Sequence, residues 1–150
     1  MHGGIAAGAL ALRCERSHSK GSPVAEILVV DDSKVMRDMV VACLRPEAGL
    51  VFSQAASGLE AIEKLALSSF DLVVLDLNMP DISGYEVVEF IRGQVQLRAL
   101  RVIIVTTRGD DSSRERALLA GADRFMTKPF TPDGLLHEVR ALLATPRSAA

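Results

Sequence analysis

Tryptophan is absent, tyrosine occurs once, and aromatics make up 4% of the 150 residues. Surfaces that hold single-stranded nucleic acid stack bases on aromatic rings, and this chain has few rings to offer. Positive charge is not in excess either. Lys and Arg number 17 against 19 Asp and Glu, a net charge of −2. That balance gives no support to nucleic-acid binding by bulk charge, so no direct nucleic-acid partner is expected. No apolar run approaches the roughly 20 residues that span a bilayer, so no membrane partner is expected. The two cysteines, Cys14 and Cys43, form no Cys-x-x-Cys pair, and His2, His18 and His137 show no ligand spacing around them. A zinc site or a disulfide framework finds no support there. Such cysteine usage fits a reducing compartment, and we expect a cytoplasmic protein.

What the chain does have is 49% hydrophobic and 24% charged residues, the composition of a folded core. The length suits one domain. Residues 1–23 stand apart. Gly, Ala and Ser dominate them, and no apolar period persists. Ile5–Leu12 is apolar, but no Lys or Arg precedes Arg13, so the basic start of a signal peptide is missing. Arg13 also stands before Cys14 where a lipoprotein signal carries a small residue. We expect residues 1–23 to be a disordered extension, or sequence upstream of the natural start. The folded domain is then 24–145, with 146–150 as a short tail.

From Val24 the pattern alternates. Ile27–Val30, Leu50–Ala56, Leu72–Leu75, Val102–Val105 and Arg124–Thr127 read as strands. Between them lie helical stretches. Val35, Met36, Met39, Val40, Cys43 and Leu44 share one face of the first, which Pro46 and Gly49 end. Ser57 opens the second with Glu60 at capping-box spacing, and Ala61, Ile62, Leu65 and Ala66 face inward. Tyr85–Arg92, Ser112–Ala120 and Asp133–Ala144 supply the other three. The strands are continuous apolar runs, as when both faces of a sheet are covered. Strand–helix–strand units with right-handed crossovers predict an α/β fold with a doubly wound, five-stranded parallel sheet. The expected strand order is 2-1-3-4-5, known from other doubly wound folds.

The ends of the strands carry the chemistry, because sites in open parallel sheets form outside the carboxyl edge. Strand one ends in Asp31-Asp32, strand three in Asp76, strand four in Thr106-Thr107, and strand five in Lys128-Pro129. The expected order gathers three carboxylates, a hydroxyl and an ammonium in one crevice. Close carboxylates repel, and a hard divalent cation with oxygen ligands, Mg²⁺ above all, relieves the repulsion. Phosphoryl transfer needs mainly positioning and charge neutralisation, and a carboxylate can be its nucleophile.

In these pieces residues 25–145 resemble the receiver domain of two-component response regulators. The matching strings are Asp31-Asp32-Ser33, Asp76-Leu77-Asn78-Met79-Pro80-Asp81-Ile82-Ser83-Gly84, Thr106-Thr107, and Phe125-Met126-Thr127-Lys128-Pro129-Phe130. The resemblance implies a flavodoxin-like, CheY-like fold. It makes Asp76 the phosphoacceptor, loaded by a histidine kinase or a histidine phosphotransfer protein. It makes Asp31, Asp32, Asp76 and the backbone carbonyl of Asn78 the ligands of Mg²⁺. Lys128 and the Thr107 N–H would contact the phosphoryl group, and the Thr106 hydroxyl would swing toward it. Phe125 stands at the family's aromatic switch position, where Tyr is frequent. Lys128-Pro129 matches a peptide bond usually cis in the family, one that would aim Lys128 back into the crevice.

Other residues receive smaller expectations. Phe125 is as well explained by core packing. Gly84 is expected to serve a backbone conformation, and Asp81 and Asp111 to be solvated loop charges. Asp110 has no assigned role. Arg108, two residues past Thr106, would overhang the site. The chain ends soon after the last helix, so the expectation is a stand-alone, phosphorylation-switched binding module with an unknown protein target. Met36 and Met39 would divide between core packing and a partner-facing surface. It would be no enzyme beyond its own Mg²⁺-dependent phosphorylation and dephosphorylation. A relay shuttle and a receiver scaffold that never takes phosphate are the alternatives. A haloacid-dehalogenase-like phosphatase fits less well. That family puts its nucleophile on the first strand with Asp two residues on, whereas Asp76 follows the third strand and Asn78 stands in the second place.

Overall fold

Three of the five expected strands, the first, third and fourth, are buried along most of their length, and packing on both faces accounts for it. A computed structural model describes residues 25–145, so the expected extension 1–23, Val24 and the tail 146–150 lie outside the described residues. The elements are β1 (Ala25–Val30), α1 (Lys34–Leu44), β2 (Leu50–Ala55), α2 (Gly58–Leu67), β3 (Leu72–Leu75), α3 (Gly84–Gly93), β4 (Arg101–Thr106), α4 (Asp111–Ala120), β5 (Arg124–Thr127) and α5 (Pro132–Ala144). A short 3₁₀ turn, Val95–Leu97, precedes β4. All strand pairings are parallel and the order is β2-β1-β3-β4-β5, as expected from the sequence.

Side chains alternate across the sheet and divide the core in two. Leu28, Val30, Val73, Leu75, Val102 and Ile104 pack with α2, α3 and α4 on one face. Ile27, Val29, Leu72, Val74, Ile103 and Val105 pack with α1 and α5 on the other. Ser57, Ser83 and Thr131 each cap a helix by accepting the N–H three residues on. Ser83 and Glu86 complete a reciprocal capping box, a serine-to-glutamate spacing the sequence displays.

Two helix faces differ from expectation. On α1 the buried residues are Val40, Val41 and Leu44, whereas Val35 is 71% and Met39 46% exposed. Periodicity marks a stripe, but not where along it a partner begins. Here the last two turns meet the sheet and α5, and the first turn has no apolar layer against it. Met36 and Cys43 are half-buried, so of the two methionines Met39 is the one left to solvent. On α2, Ala61 and Leu65 are buried and Ile62 half-buried, but Ala66 is exposed in the last turn.

The edge of the sheet opposite the strand ends is tied by one arginine. Arg92, at the end of α3, donates from Nε to the Gly121 carbonyl at 2.9 Å and from Nη1 to the Leu100 carbonyl at 2.7 Å. Its Nη2 meets Asp123 Oδ2 at 2.9 Å, and that oxygen also accepts from the Val102 N–H at 2.8 Å. Gly121 has φ +121° and lies so close that a Cβ would stand 2.5 Å from Arg92 Cγ, so only glycine fits there. Breaking a buried ion pair from one side leaves the other charge uncompensated. Arg92→Ala should therefore lower unfolding free energy by about 3 kcal/mol in urea titration. A loss under 0.5 kcal/mol would contradict this account of the knot.

Candidate functional site

The ladder of the sheet continues one step past the strands and fixes the first residues of the loops. Asp31 N–H donates to the Ala55 carbonyl, Asp76 N–H to the Val30 carbonyl, and Lys128 N–H to the Thr106 carbonyl. Asp31, Asp76 and Thr106 are thereby held rigidly and buried, at 5%, 6% and 0% exposure. Asp32 and Thr107 are exposed at the rim. One carboxylate oxygen from each of Asp31, Asp32 and Asp76 lies within 4.8 Å of the others. Lys128 Nζ reaches across from β5 to Asp31 Oδ2 at 2.7 Å and Asp76 Oδ2 at 3.6 Å. The Lys128–Pro129 peptide bond is cis.

The first pair is well made. Asp31 Oδ2 takes the lysine and Oδ1 accepts from the Ser33 N–H at 2.9 Å. Asp76 is less well provided for. Its Oδ1 is buried and accepts no hydrogen bond among the described residues. Burial pushes its carboxyl above the ordinary carboxylate value; the Lys128 charge opposes that rise and the Asp31 charge adds to it. A buried oxygen without a donor, beside two further carboxylates, suits a positive ligand better than an empty cavity. The donor set is all oxygen, which fits a hard divalent cation rather than a soft metal. The site therefore carries an acidic cluster able to bind such an ion.

Thr106 Oγ1 accepts from the Arg108 N–H at 3.2 Å and from Asn78 Nδ2 at 3.4 Å. The Asn78 side chain thus meets the site as well as its backbone, a contact the sequence did not announce. Arg108 is exposed and stands on the rim loop. Phe125 pairs in the sheet with Ile104, two residues before Thr106 on the same face, and its ring is buried in the core. Arg114 covers that ring, its guanidinium carbon 5.9 Å from the centroid. Every expected site residue lies at or near the carboxyl edge of β1, β3, β4 and β5.

Three small expectations need correction or completion. Gly84 is not among the glycines with positive φ. Its need is space, since a Cβ there would stand 2.4 Å from the Asp76 carbonyl oxygen. Asp81 is an exposed loop charge, as expected, but it is also engaged: its carboxylate accepts from the Gly58 N–H at 3.1 Å and the Leu59 N–H at 2.8 Å. Asp110 caps α4, accepting from the Ser113 N–H at 3.0 Å and the Ser113 hydroxyl at 2.9 Å. The Asp110–Ser113 spacing made that cap legible. Nothing local marked Asp81, whose partners lie 22 and 23 residues away.

Known proteins share this fold. Residues 27–140 match the family model of the response regulator receiver domain. Chemotaxis protein CheY1 of Helicobacter pylori is 33% identical over 121 residues, covering 80% of this chain and 98% of CheY1. Transcriptional regulatory protein ResD of Bacillus subtilis is 36% identical over 118 residues, covering 79% of this chain but 48% of ResD. The chain thus spans about half the length of that regulator. Among solved structures, chemotaxis response regulator CheY4 of Vibrio cholerae superimposes with a TM-score of 0.73 at 34% identity, covering 79% of this chain and 98% of CheY4. A BeF3-activated DrrB receiver domain gives a TM-score of 0.73 at 33% identity, covering 81% and 99%. The phosphatase alternative falls with this match. No described helix is long and apolar enough to cross a membrane. With the acidic cluster at the expected strand ends and the family model matching residues 27–140, this chain belongs to the response regulator receiver domain family, whose members are signalling proteins.

Proposed function

We propose that Asp76 accepts a phosphoryl group from the phosphohistidine of a histidine kinase or a histidine phosphotransfer protein, and that the acyl phosphate switches protein contacts. The observation that carries this reading is the state of Asp76: buried at a strand end, with Oδ1 unpartnered and Lys128 Nζ 3.6 Å from Oδ2. Asp31, Asp32, Asp76 and the Asn78 backbone carbonyl would hold Mg²⁺. When bound, Mg²⁺ supplies positive charge to the phosphoryl oxygens.

An Asp76 carboxylate oxygen attacks phosphorus, and the P–N bond to the donor imidazole breaks. The electron pair leaves with that nitrogen, and because the other ring nitrogen of the donor carries a proton, the leaving group is neutral imidazole. Lys128 faces the phosphoryl oxygens and offsets their charge, since preorganised cations outperform solvent in a partly buried crevice. Thr106 exchanges its present partners for a phosphoryl oxygen, and the Thr107 N–H donates from the rim. Thr106 leaving its place makes room on the sheet face it shares with Phe125, whose ring then changes rotamer and alters the neighbouring surface. Output would run through protein contact, and the chain's place would be the cytoplasm.

The experiment is intact-mass measurement after incubation with acetyl phosphate, with and without Mg²⁺. Gain of a single phosphoryl group only with Mg²⁺ is expected. If neither acetyl phosphate nor a panel of phosphorylated histidine kinases loads the chain, the receiver scaffold that takes no phosphate is the better account.

A further inference from the structure

The loop between β3 and α3 carries Asn78, and two pins hold it. The first is at its neck, where the Gly84 N–H donates to the Leu77 carbonyl at 3.0 Å. The absent side chain of Gly84 lets that turn close onto the Asp76 backbone. The second pin is at its tip. Asp81 Oδ1 and Oδ2 accept from the first two amides of α2, Gly58 and Leu59. The fit is close, since a Cβ on Gly58 would stand 2.4 Å from Ile82 Cγ1.

The helix does not need Asp81 for its own cap. Ser57 already caps α2, its hydroxyl accepting from the Glu60 N–H at 3.1 Å. Asp81 takes the two N–H groups that Ser57 leaves, from a loop 22 and 23 residues away in sequence. A carboxylate at a helix N-terminus gains from the amide dipoles as well as from the two charge-assisted bonds. The Leu59 N–H, chief among these groups, holds the Asp81 carboxyl down at about 2. Its ionised form therefore persists across the pH range in which the site works.

We propose that Asp81 is a positioning residue for the acidic site: by clasping α2 it fixes the loop so that Asn78 keeps its backbone beside Asp76. The inference rests on the reading of Asp76, Asn78 and Mg²⁺ above. Asn78 already meets the site through Nδ2 on Thr106 Oγ1, and its backbone N–H is among the groups that favour the Asp76 carboxylate. A metal ligand supplied by a loop carbonyl is only as well placed as the loop.

The test compares Asp81→Ala, Asp81→Asn and Ser57→Ala with the wild type. Mg²⁺ affinity of the unphosphorylated protein is measured by calorimetry, and the Mg²⁺ dependence of acetyl-phosphate labelling by intact mass. Amide exchange across 77–80 is followed by mass spectrometry. Asp81→Ala should weaken Mg²⁺ binding about tenfold, as lost support of a ligand does. It should raise the half-saturating Mg²⁺ for labelling alike, yet label at the wild-type rate when Mg²⁺ saturates. Exchange across 77–80 should quicken. Asp81→Asn, which keeps one acceptor, should recover part of the affinity. Ser57→Ala removes the helix's own cap and should lower Tm while leaving Mg²⁺ affinity at the wild-type value.

Unchanged Mg²⁺ affinity in Asp81→Ala would overturn the proposal. So would equal losses in Asp81→Ala and Ser57→Ala, because the effect would then come from helix stability alone. A wild type that takes no label speaks against the reading of Asp76 instead. The exchange rates across 77–80 still decide in that case whether Asp81 holds the loop, and unchanged rates overturn it.

Discussion

Asp76→Asn should take up no phosphoryl group from acetyl phosphate at any Mg²⁺ concentration, while the wild type is loaded. The amide keeps the shape of the side chain and loses the nucleophilic charge. The substitution should also stabilise the fold near neutral pH, and the sign follows from burial. The Asp76 carboxyl is raised above its ordinary value of 3.8, first by burial and then by the Asp31 charge, against the pull of Lys128. A carboxyl raised in the folded state contributes stability that is fully present below the ordinary value. That contribution is lost as pH rises through the raised folded value. At pH 7.5 the wild type therefore holds a charge its fold disfavours, and the asparagine variant does not. Tm measured from pH 3.5 to 7.5 should show the variant above the wild type at the upper end, with the gap closing at the lower end. A variant less stable than the wild type at pH 7.5 would mean that Lys128 outweighs burial at Asp76.

Lys128→Met should be the more damaging change to the fold. Lys128 Nζ is the cation between two buried carboxylates, 2.7 Å from Asp31 and 3.6 Å from Asp76. Methionine fills much of the same space but leaves Asp31 and Asp76 facing each other without a counter-charge. Breaking a buried pair from one side costs about 3 kcal/mol. Urea titration at pH 7.5 should show a loss of that order, and millimolar Mg²⁺ should restore part of it by standing in for the ammonium. Labelling should slow by about a hundredfold, as when one preorganised charge is removed from a phosphoryl or acyl-transfer site. A variant within 0.5 kcal/mol of the wild type, labelled at the wild-type rate, would remove Lys128 from both roles.

The parts of this molecule that repeat locally were the parts readable from sequence. Apolar runs mark the strands, the helical stripes mark α2, α3 and α5, and polar residues at the ends of β1, β3, β4 and β5 mark the carboxyl edge. The expected strand order then gathered Asp31, Asp32, Asp76, Thr106 and Lys128 at one crevice, where the structure places them. What escaped was set by contacts between distant segments. Val35 belongs to the apolar stripe of α1 yet has nothing to pack on in the first turn. Gly84 looks like a turn glycine, but what it serves is the approach of the Asp76 carbonyl. Asp81 looks like any loop carboxylate until the start of α2 is brought beside it. Asn78 was expected for its carbonyl, and its side chain on Thr106 depends on a neighbour 28 residues away.

The account stands most directly on where the phosphoryl group goes. Wild-type protein loaded with acetyl phosphate and Mg²⁺ is reduced with borohydride, digested and sequenced by mass spectrometry. An acyl phosphate on a carboxyl side chain is reduced to the alcohol, so the account predicts homoserine at position 76 and unmodified Asp31 and Asp32. Homoserine at another position, or label retained on a hydroxyl or imidazole with Asp76 intact, would contradict it.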